Sequence, residues 1–87
     1  MEMPELKIND IIRIGDDYRG PKAQVVFIYN KEDKSHGLCG DIEVVYYQNK
    51  IKGIKEDVVW GGEFWEFKTK GPNGSYVDID NYPELKK

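Results

Sequence analysis

Residues 58–67 read VVWGGEFWEF, and this stretch decides how the chain folds. It holds both tryptophans and two of the three phenylalanines, placed around a Gly-Gly pair. Glycine adopts the positive φ angles of tight hairpin turns without a steric penalty. The pattern therefore predicts a β-hairpin whose loop is the two glycines alone, so that Trp60 pairs with Glu63.

The predicted hairpin carries two apolar faces, because residues paired across an antiparallel ladder share a face. One face holds Val58, Trp60, Trp65 and Phe67, and the other holds Val59 and Phe64. One of them must line the core of the domain. Two interpretations remain for the second apolar face. It packs against the C-terminal segment, or part of the tryptophan face stays exposed as a docking platform.

Alternation of apolar and polar residues, typical of strands, also runs through the rest of the chain. The predicted strands are Asp10–Ile14, Ala23–Tyr29, Asp41–Gln48, Ile51–Trp60, Glu63–Lys68 and Ser75–Ile79. A single short 3₁₀ turn is expected at Tyr82–Leu85, a segment that contains Pro83. Five or six short strands joined by tight turns predict an all-β fold, a small antiparallel barrel that forms one domain over residues 1–87.

The run NDIIRIGDDYRGPKAQVVFIYNKE at residues 9–32 resembles the opening of small SH3-like barrels of the KOW and Tudor type. Those barrels begin with a short strand after a Gly-Asp-like turn, pass through a loop with a glycine, and enter a long valine-rich strand. Here Asn9-Asp10 stands in place of Gly-Asp, and Gly20 matches the loop glycine. The resemblance implies an SH3-like barrel, and members of that group bind RNA, ribosomal partners or modified peptides.

Composition narrows the functional class. The net charge of −3, with scattered lysines and arginines, argues against a nucleic-acid backbone as the main partner, since that affinity comes from a basic face. The longest apolar run, Val25–Tyr29, is far shorter than the roughly 20 residues of a membrane span. The first residues show no secretion signal, and one cysteine, Cys39, fits a reducing compartment, so we expect a cytoplasmic protein.

Residue types that carry chemistry are sparse. His36 and Cys39 are the sole imidazole and the sole thiol, too few for a structural zinc site of about four ligands. They also lack an evident orienting group for nucleophilic catalysis. The carboxylates alternate along strands, as on a solvated face. We therefore predict a protein that is not an enzyme and holds no metal or cofactor.

More aromatic side chains are present than one small core is expected to hide. This surplus predicts a non-catalytic interaction module that docks a protein or peptide partner on an aromatic and acidic surface. The candidate contact residues are Tyr18, Tyr47, Trp60, Glu63, Trp65 and Glu66, and the two glutamates favour a basic ligand. For Tyr18, a structural role as a loop anchor is the competing interpretation.

Two alternatives from other classes stay open. The first is a nucleic-acid-associated domain of KOW type that uses Arg13, Arg19 and Lys22. The second is a homo-oligomeric structural domain, a dimer for example, in which a second copy covers the exposed hairpin face.

Overall fold

A computed structural model of the protein describes residues 3–15, 20–30, 32, 40–68 and 74–86. Within these ranges the chain forms one antiparallel sheet that is curled into a half-barrel, and it contains no α-helix. The strands are β1 Ile11–Arg13, β2 Lys22–Ile28, β3 Ile42–Tyr47, β4 Lys52–Trp60, β5 Trp65–Phe67 and β6 Ser75–Asp78. Two 3₁₀ turns follow, at Ile79–Asn81 and Pro83–Lys86. The predicted all-β, barrel-like fold is confirmed. None of the helical segments in the described ranges is long and apolar enough to cross a membrane.

Strand β4 organises the sheet because both of its edges are used. The strands follow the order β1-β2-β3-β4-β5, and β6 pairs with β4 beside β5. One edge of β4 pairs with β3 through Gly53–Val58. The other edge pairs with β6 through Lys52–Lys55 and with β5 through Val58–Trp60. With nine residues, β4 is long enough to pair with two short strands, one after the other, on the same edge.

The first and fifth strands are joined at one end of the sheet. Ile14 forms a parallel bridge with Trp65, and the Gly15 N–H donates to the Trp65 carbonyl at 2.8 Å. Trp65 is 5% exposed, so its indole belongs to the core. This contact brings the two ends of the curled sheet together and keeps water from the apolar face between them.

The hairpin register differs from the prediction. Trp60 pairs with Trp65, so the loop is the four residues 61–64 and the predicted two-residue loop is wrong. The Gly61 N–H donates to the Phe64 carbonyl at 2.9 Å, and Gly62 has a φ of 99°, which favours glycine. In this register the two indoles lie edge to face, with ring centroids 5.1 Å apart. Because the shift is two residues, each side chain keeps its predicted face.

Each face of the sheet carries its own apolar cluster. The inner cluster contains Ile14, Ala23, Val25, Ile42, Val44, Val58 and Trp65, and Met3 and Leu6 of the N-terminal segment pack against it. The outer cluster contains Val45, Ile79 and Leu85, with Val26, Val77 and Tyr82 at its margin. The C-terminal segment does cover a second apolar face, as one interpretation expected, but it covers β2 and β3 instead of the hairpin.

The closure at Trp65 should dominate stability. We expect Trp65→Ala to lower the free energy of unfolding by about 3–5 kcal/mol, because it empties a buried site at the junction of β1 and β5. Trp60→Ala is the matched control, since Trp60 is only half-buried and should cost less. Urea unfolding monitored by far-ultraviolet circular dichroism measures both. Equal losses would contradict the assignment of Trp65 as the closing residue.

Candidate functional site

A β-bulge in β2 decides which aromatic rings reach the surface. Val25 pairs with Val44, yet Phe27 pairs with Glu43, so the register shifts between Val25 and Phe27. A bulge places an extra residue in one strand and re-aims the side chains that follow it. Phe27 therefore lies on the outer face, whereas strict alternation from Val25 would have placed it in the core.

The bulge creates an exposed aromatic and acidic surface, here called the outer patch, which consists of Phe27, Tyr29, Glu43 and Asp57. Phe27 is 48% exposed, and its ring meets the Tyr29 ring edge to face at 4.9 Å. Phe27, Glu43 and Asp57 lie in one row across three strands. Tyr29 lies two residues beyond Phe27 and reaches the same face, where its hydroxyl donates to Asp57 Oδ1 at 2.9 Å.

The two carboxylates of the outer patch repel each other. Glu43 and Asp57 are directly opposite across β3 and β4, an arrangement that destabilises a sheet. The nearest cation to Glu43 is Lys55, whose Nζ lies 3.9 Å from Oε1, at the limit of an ion pair. Such an exposed pair is weak. Lys55 therefore compensates the negative charge of the patch only in part, and a second lysine, Lys68, lines the adjoining cleft.

A cleft adjoins the outer patch beside β4, between the end of β5 and the start of β6. There the Lys68 N–H donates to the Asp57 carbonyl at 3.0 Å, and the Gly74 N–H donates to Glu56 Oε1 at 3.1 Å. The cleft has a volume of about 290 Å³ and is lined by Glu43, Lys55, Glu56, Asp57, Lys68, Gly74 and Ser75. Two residues of the patch, Glu43 and Asp57, thus face an opening large enough for a side chain of a partner.

The predicted contact residues of the hairpin divide between the two faces. Trp65 is buried and Trp60 half-buried, and both lie on the inner face. Glu66 is exposed and pairs with Val59 on the outer face, one position along from Asp57 on that face. Glu63 is exposed in the hairpin loop. Glu66 therefore adds a carboxylate to the outer face beside the outer patch, whereas Trp65 is a core residue and offers no platform.

A second row on the outer face contains the remaining predicted residues that the structure describes. Arg13 pairs with Lys22, and the register of β2 with β3 places Lys22 beside Tyr47. Tyr47 is 43% exposed. It pairs with Gly53, seven residues from Trp60 along β4, which corresponds to roughly 23 Å. The structure thus brings Tyr47 to the basic residues and not to the tryptophans. Tyr18 and Arg19 lie outside the described residues.

One ionisable pair is sheltered on the inner face. Glu56 is buried; its Oε1 accepts the Gly74 N–H at 3.1 Å, and its Oε2 lies 3.4 Å from the Tyr46 hydroxyl that donates to it. Burial, followed by the negative charge of Glu56, raises the pKa of Tyr46 from 10.0 to about 12. The pair ties the start of β6 to β3 and β4, which is a structural role.

The described residues contain no cluster of three or more histidine, cysteine, aspartate or glutamate side chains placed to hold a metal ion. His36 and Cys39, the residues weighed for a metal or nucleophile, lie outside those ranges. The expectation that the protein uses no metal or cofactor stays a prediction.

Sequence reasoning missed Phe27 and Tyr29 as surface residues. Their strand reads AQVVFIY, which is typical of a buried strand, and no residue in it marks a bulge. Glu43 and Asp57 were recognisable only as acids on alternating strands. Their direct opposition depends on the register of β3 with β4, which no local signal specifies.

No protein-family model, curated protein or solved structure matches the chain. The resemblance to KOW and Tudor barrels at residues 9–32 stays a prediction.

The raised pKa of Tyr46 predicts a loss of stability in alkali. In the unfolded chain this phenol ionises near pH 10, whereas in the folded chain it keeps its proton to about pH 12. Its contribution to the free energy of unfolding is therefore complete below pH 10 and is lost as the pH rises through 12. Between about pH 10 and about pH 12 the free energy of unfolding of the native chain should therefore fall relative to that of Tyr46→Phe, and urea unfolding of both proteins measures this change.

Tyr47→Phe is the control, because it removes an exposed phenol from the neighbouring position. Tyr47→Phe should leave the loss of unfolding free energy at alkaline pH unchanged. A constant difference between the native chain and Tyr46→Phe across this pH range would show that Tyr46 ionises as in the unfolded chain.

Proposed function

We propose that this protein is a non-catalytic interaction module that docks a basic peptide segment of a partner protein on the outer patch. The observation that carries the proposal is the opposition of Glu43 and Asp57 beside the exposed Phe27 ring. A sheet gains nothing from two adjacent carboxylates, but a cationic ligand would relieve their repulsion. Binding of a cationic ligand would therefore explain why Glu43 and Asp57 lie opposite each other.

The geometry of the outer patch suits an arginine or lysine side chain. Asp57 is held through Oδ1 by the Tyr29 hydroxyl, and no described group hydrogen-bonds to its Oδ2. A guanidinium can bond carboxylate oxygens while its flat face lies on an aromatic ring, so Phe27 and Asp57 offer complementary contacts. The Lys55 Nζ lies 3.9 Å from Glu43 Oε1, which is long for an ion pair. An incoming cation would therefore displace the Lys55 side chain at little cost.

Two further features favour a basic partner. The chain has a net charge of −3, which accelerates encounters with cationic segments at low ionic strength. Glu66 adds a carboxylate to the outer face between the outer patch and the hairpin loop, and Glu63 stands exposed in that loop. A ligand with several basic residues could therefore lie along the outer face from Phe27 to the hairpin.

A second candidate function rests on the row of Arg13, Lys22 and Tyr47. Two adjacent cations beside an exposed aromatic ring are the elements of a single-stranded nucleic-acid contact, in which lysine and arginine meet phosphates and a base stacks on the ring. The Arg13 Nη1 donates to the Gly20 carbonyl at 3.1 Å, which orients its guanidinium. We rank this function second because the row holds only two cations in an acidic chain.

Binding of a capped peptide that alternates arginine and glycine tests the first function. Phe27→Ala should weaken binding about tenfold or more, the usual cost of removing an aromatic anchor. Glu43→Gln should also weaken binding, yet it should raise the free energy of unfolding by a few tenths of a kcal/mol, about the value of one relieved like-charge pair. Fluorescence anisotropy of a labelled peptide measures affinity, and urea unfolding measures stability.

Ile51→Ala and Glu5→Gln are the matched controls, since each removes an exposed side chain of the same type elsewhere. Both should bind the peptide like the native chain. Unchanged affinity in folded Phe27→Ala, or equal affinity for a peptide with glutamate in place of arginine, would refute the proposal. Binding of a single-stranded oligonucleotide that falls steeply with salt, and that Lys22→Ala abolishes, would favour the second function.

A further inference from the structure

The outer edge of β6 has no strand beside it among the described residues. β6 pairs with β4 through Lys52–Lys55, and the ladder continues to Ile79, whose N–H donates to the Ile51 carbonyl at 3.1 Å. On the opposite edge of β4, the Gln48 N–H donates to the Lys52 carbonyl. Even-numbered residues at this end of β4 therefore bond toward β3, and odd-numbered ones bond toward β6.

The same alternation fixes the directions within β6. Val77 is opposite Gly53 and bonds toward β4, so the backbone groups of Tyr76 and the N–H of Asp78 point away from the sheet. No described group hydrogen-bonds to them. An edge of this kind can take up an extended peptide as an added strand.

An apolar depression lies over the ladder between the start of β4 and β6, next to this edge. It has a volume of about 420 Å³, and its lining includes Ile51 and Tyr76. These are the two most exposed large apolar side chains in the described part of the chain, at 72% and 63%. Exposed apolar residues that border a depression are typical of interaction sites. A peptide added to β6 could place one apolar side chain against Tyr76, at the margin of this depression.

The charges around the depression favour an acidic occupant. Asp80 is held by Lys86, with Nζ and Oδ1 2.7 Å apart, and Asp78 accepts the Asp80 N–H at 2.9 Å. The lysines are less engaged: the Lys52 ammonium lies 4.8 Å from the centre of the Tyr76 ring, and Lys50 has no ion pair with a described residue. Three lysines, Lys50, Lys52 and Lys86, thus stand beside two carboxylates, Asp78 and Asp80, so the net charge next to this edge is positive.

We infer that β6 is a docking edge for an extended acidic peptide segment of a partner protein, one that alternates apolar and acidic residues. Backbone bonds to Tyr76 and Asp78 would supply affinity, and the apolar side chain and the lysines would supply selectivity. This edge is separate from the outer patch and prefers the opposite charge, so either site can exist without the other.

The probe is a capped hexapeptide that alternates valine and glutamate, added to ¹⁵N-labelled protein. The amide resonances of Tyr76 and Asp78 should shift and their exchange with solvent should slow, because both N–H groups gain acceptors. A peptide with lysine in place of glutamate should bind more weakly. Resonance changes confined to other residues, or none at millimolar peptide, would overturn the inference.

Two substitutions at one position isolate the backbone contribution. Tyr76→Val removes the ring but keeps the N–H, whereas Tyr76→Pro also removes the N–H without removing a bond to β4. Tyr76→Pro should therefore bind about fivefold more weakly than Tyr76→Val, the value of one hydrogen bond. Lys50→Ala should weaken binding about twofold to threefold, the value of one exposed ion pair.

Equal affinity of Tyr76→Pro and Tyr76→Val, with both folded by circular dichroism, would overturn the added-strand mode. Slow exchange at Tyr76 that appears without peptide and rises with protein concentration would instead assign the edge to a second copy of this chain, and it would overturn the inference as well.

Discussion

The structure depends on one constraint, the double use of strand β4. Its nine residues pair with β3 on one edge and with β6 and then β5 on the other. Because two strands pair in succession with the same edge of β4, strand pairing on that edge is interrupted between them, at Glu56 and Asp57. At this break the Asp57 carbonyl accepts the Lys68 N–H, and the buried Glu56 carboxylate accepts the Gly74 N–H. The cleft beside the outer patch and the free edge of β6 both follow from this arrangement.

The closure of the half-barrel is a separate device with a different physical basis. A single backbone bridge between Ile14 and Trp65 joins β1 to β5, and the indole of Trp65 fills the core behind it. A chain of 87 residues buries a limited area, so one large aromatic at the junction contributes an unusual share of the core. The aromatic-rich hairpin therefore serves mainly the interior. The exposed aromatics come from other strands: Phe27 of β2, which the bulge turns outward, Tyr47 of β3 and Tyr76 of β6.

The functional proposals rest on places where the fold keeps an arrangement that stability alone would not favour. Glu43 and Asp57 stand opposite each other on the outer face, and the outer edge of β6 leaves backbone groups in water beside the exposed side chains of Tyr76 and Ile51. Each feature has a modest energetic cost, and each has an evident complement in a ligand: a cation beside an aromatic ring in one case, an extended acidic strand in the other. The two surfaces differ in charge preference, so one partner segment is not expected to occupy both.

The sequence by itself determined the strand content and the faces of the aromatic hairpin. Alternation has a period of two, so the predicted faces of Trp60 and Trp65 are correct although the predicted register is wrong by two residues. An error of one residue would have reversed these faces. The tertiary structure alone decided the position of the bulge, the opposition of Glu43 with Asp57, and the cover that the C-terminal turns give to Val45. These features arise from contacts between residues far apart in the chain, whose pairing minimises the free energy of the whole sheet and leaves no mark in any local pattern.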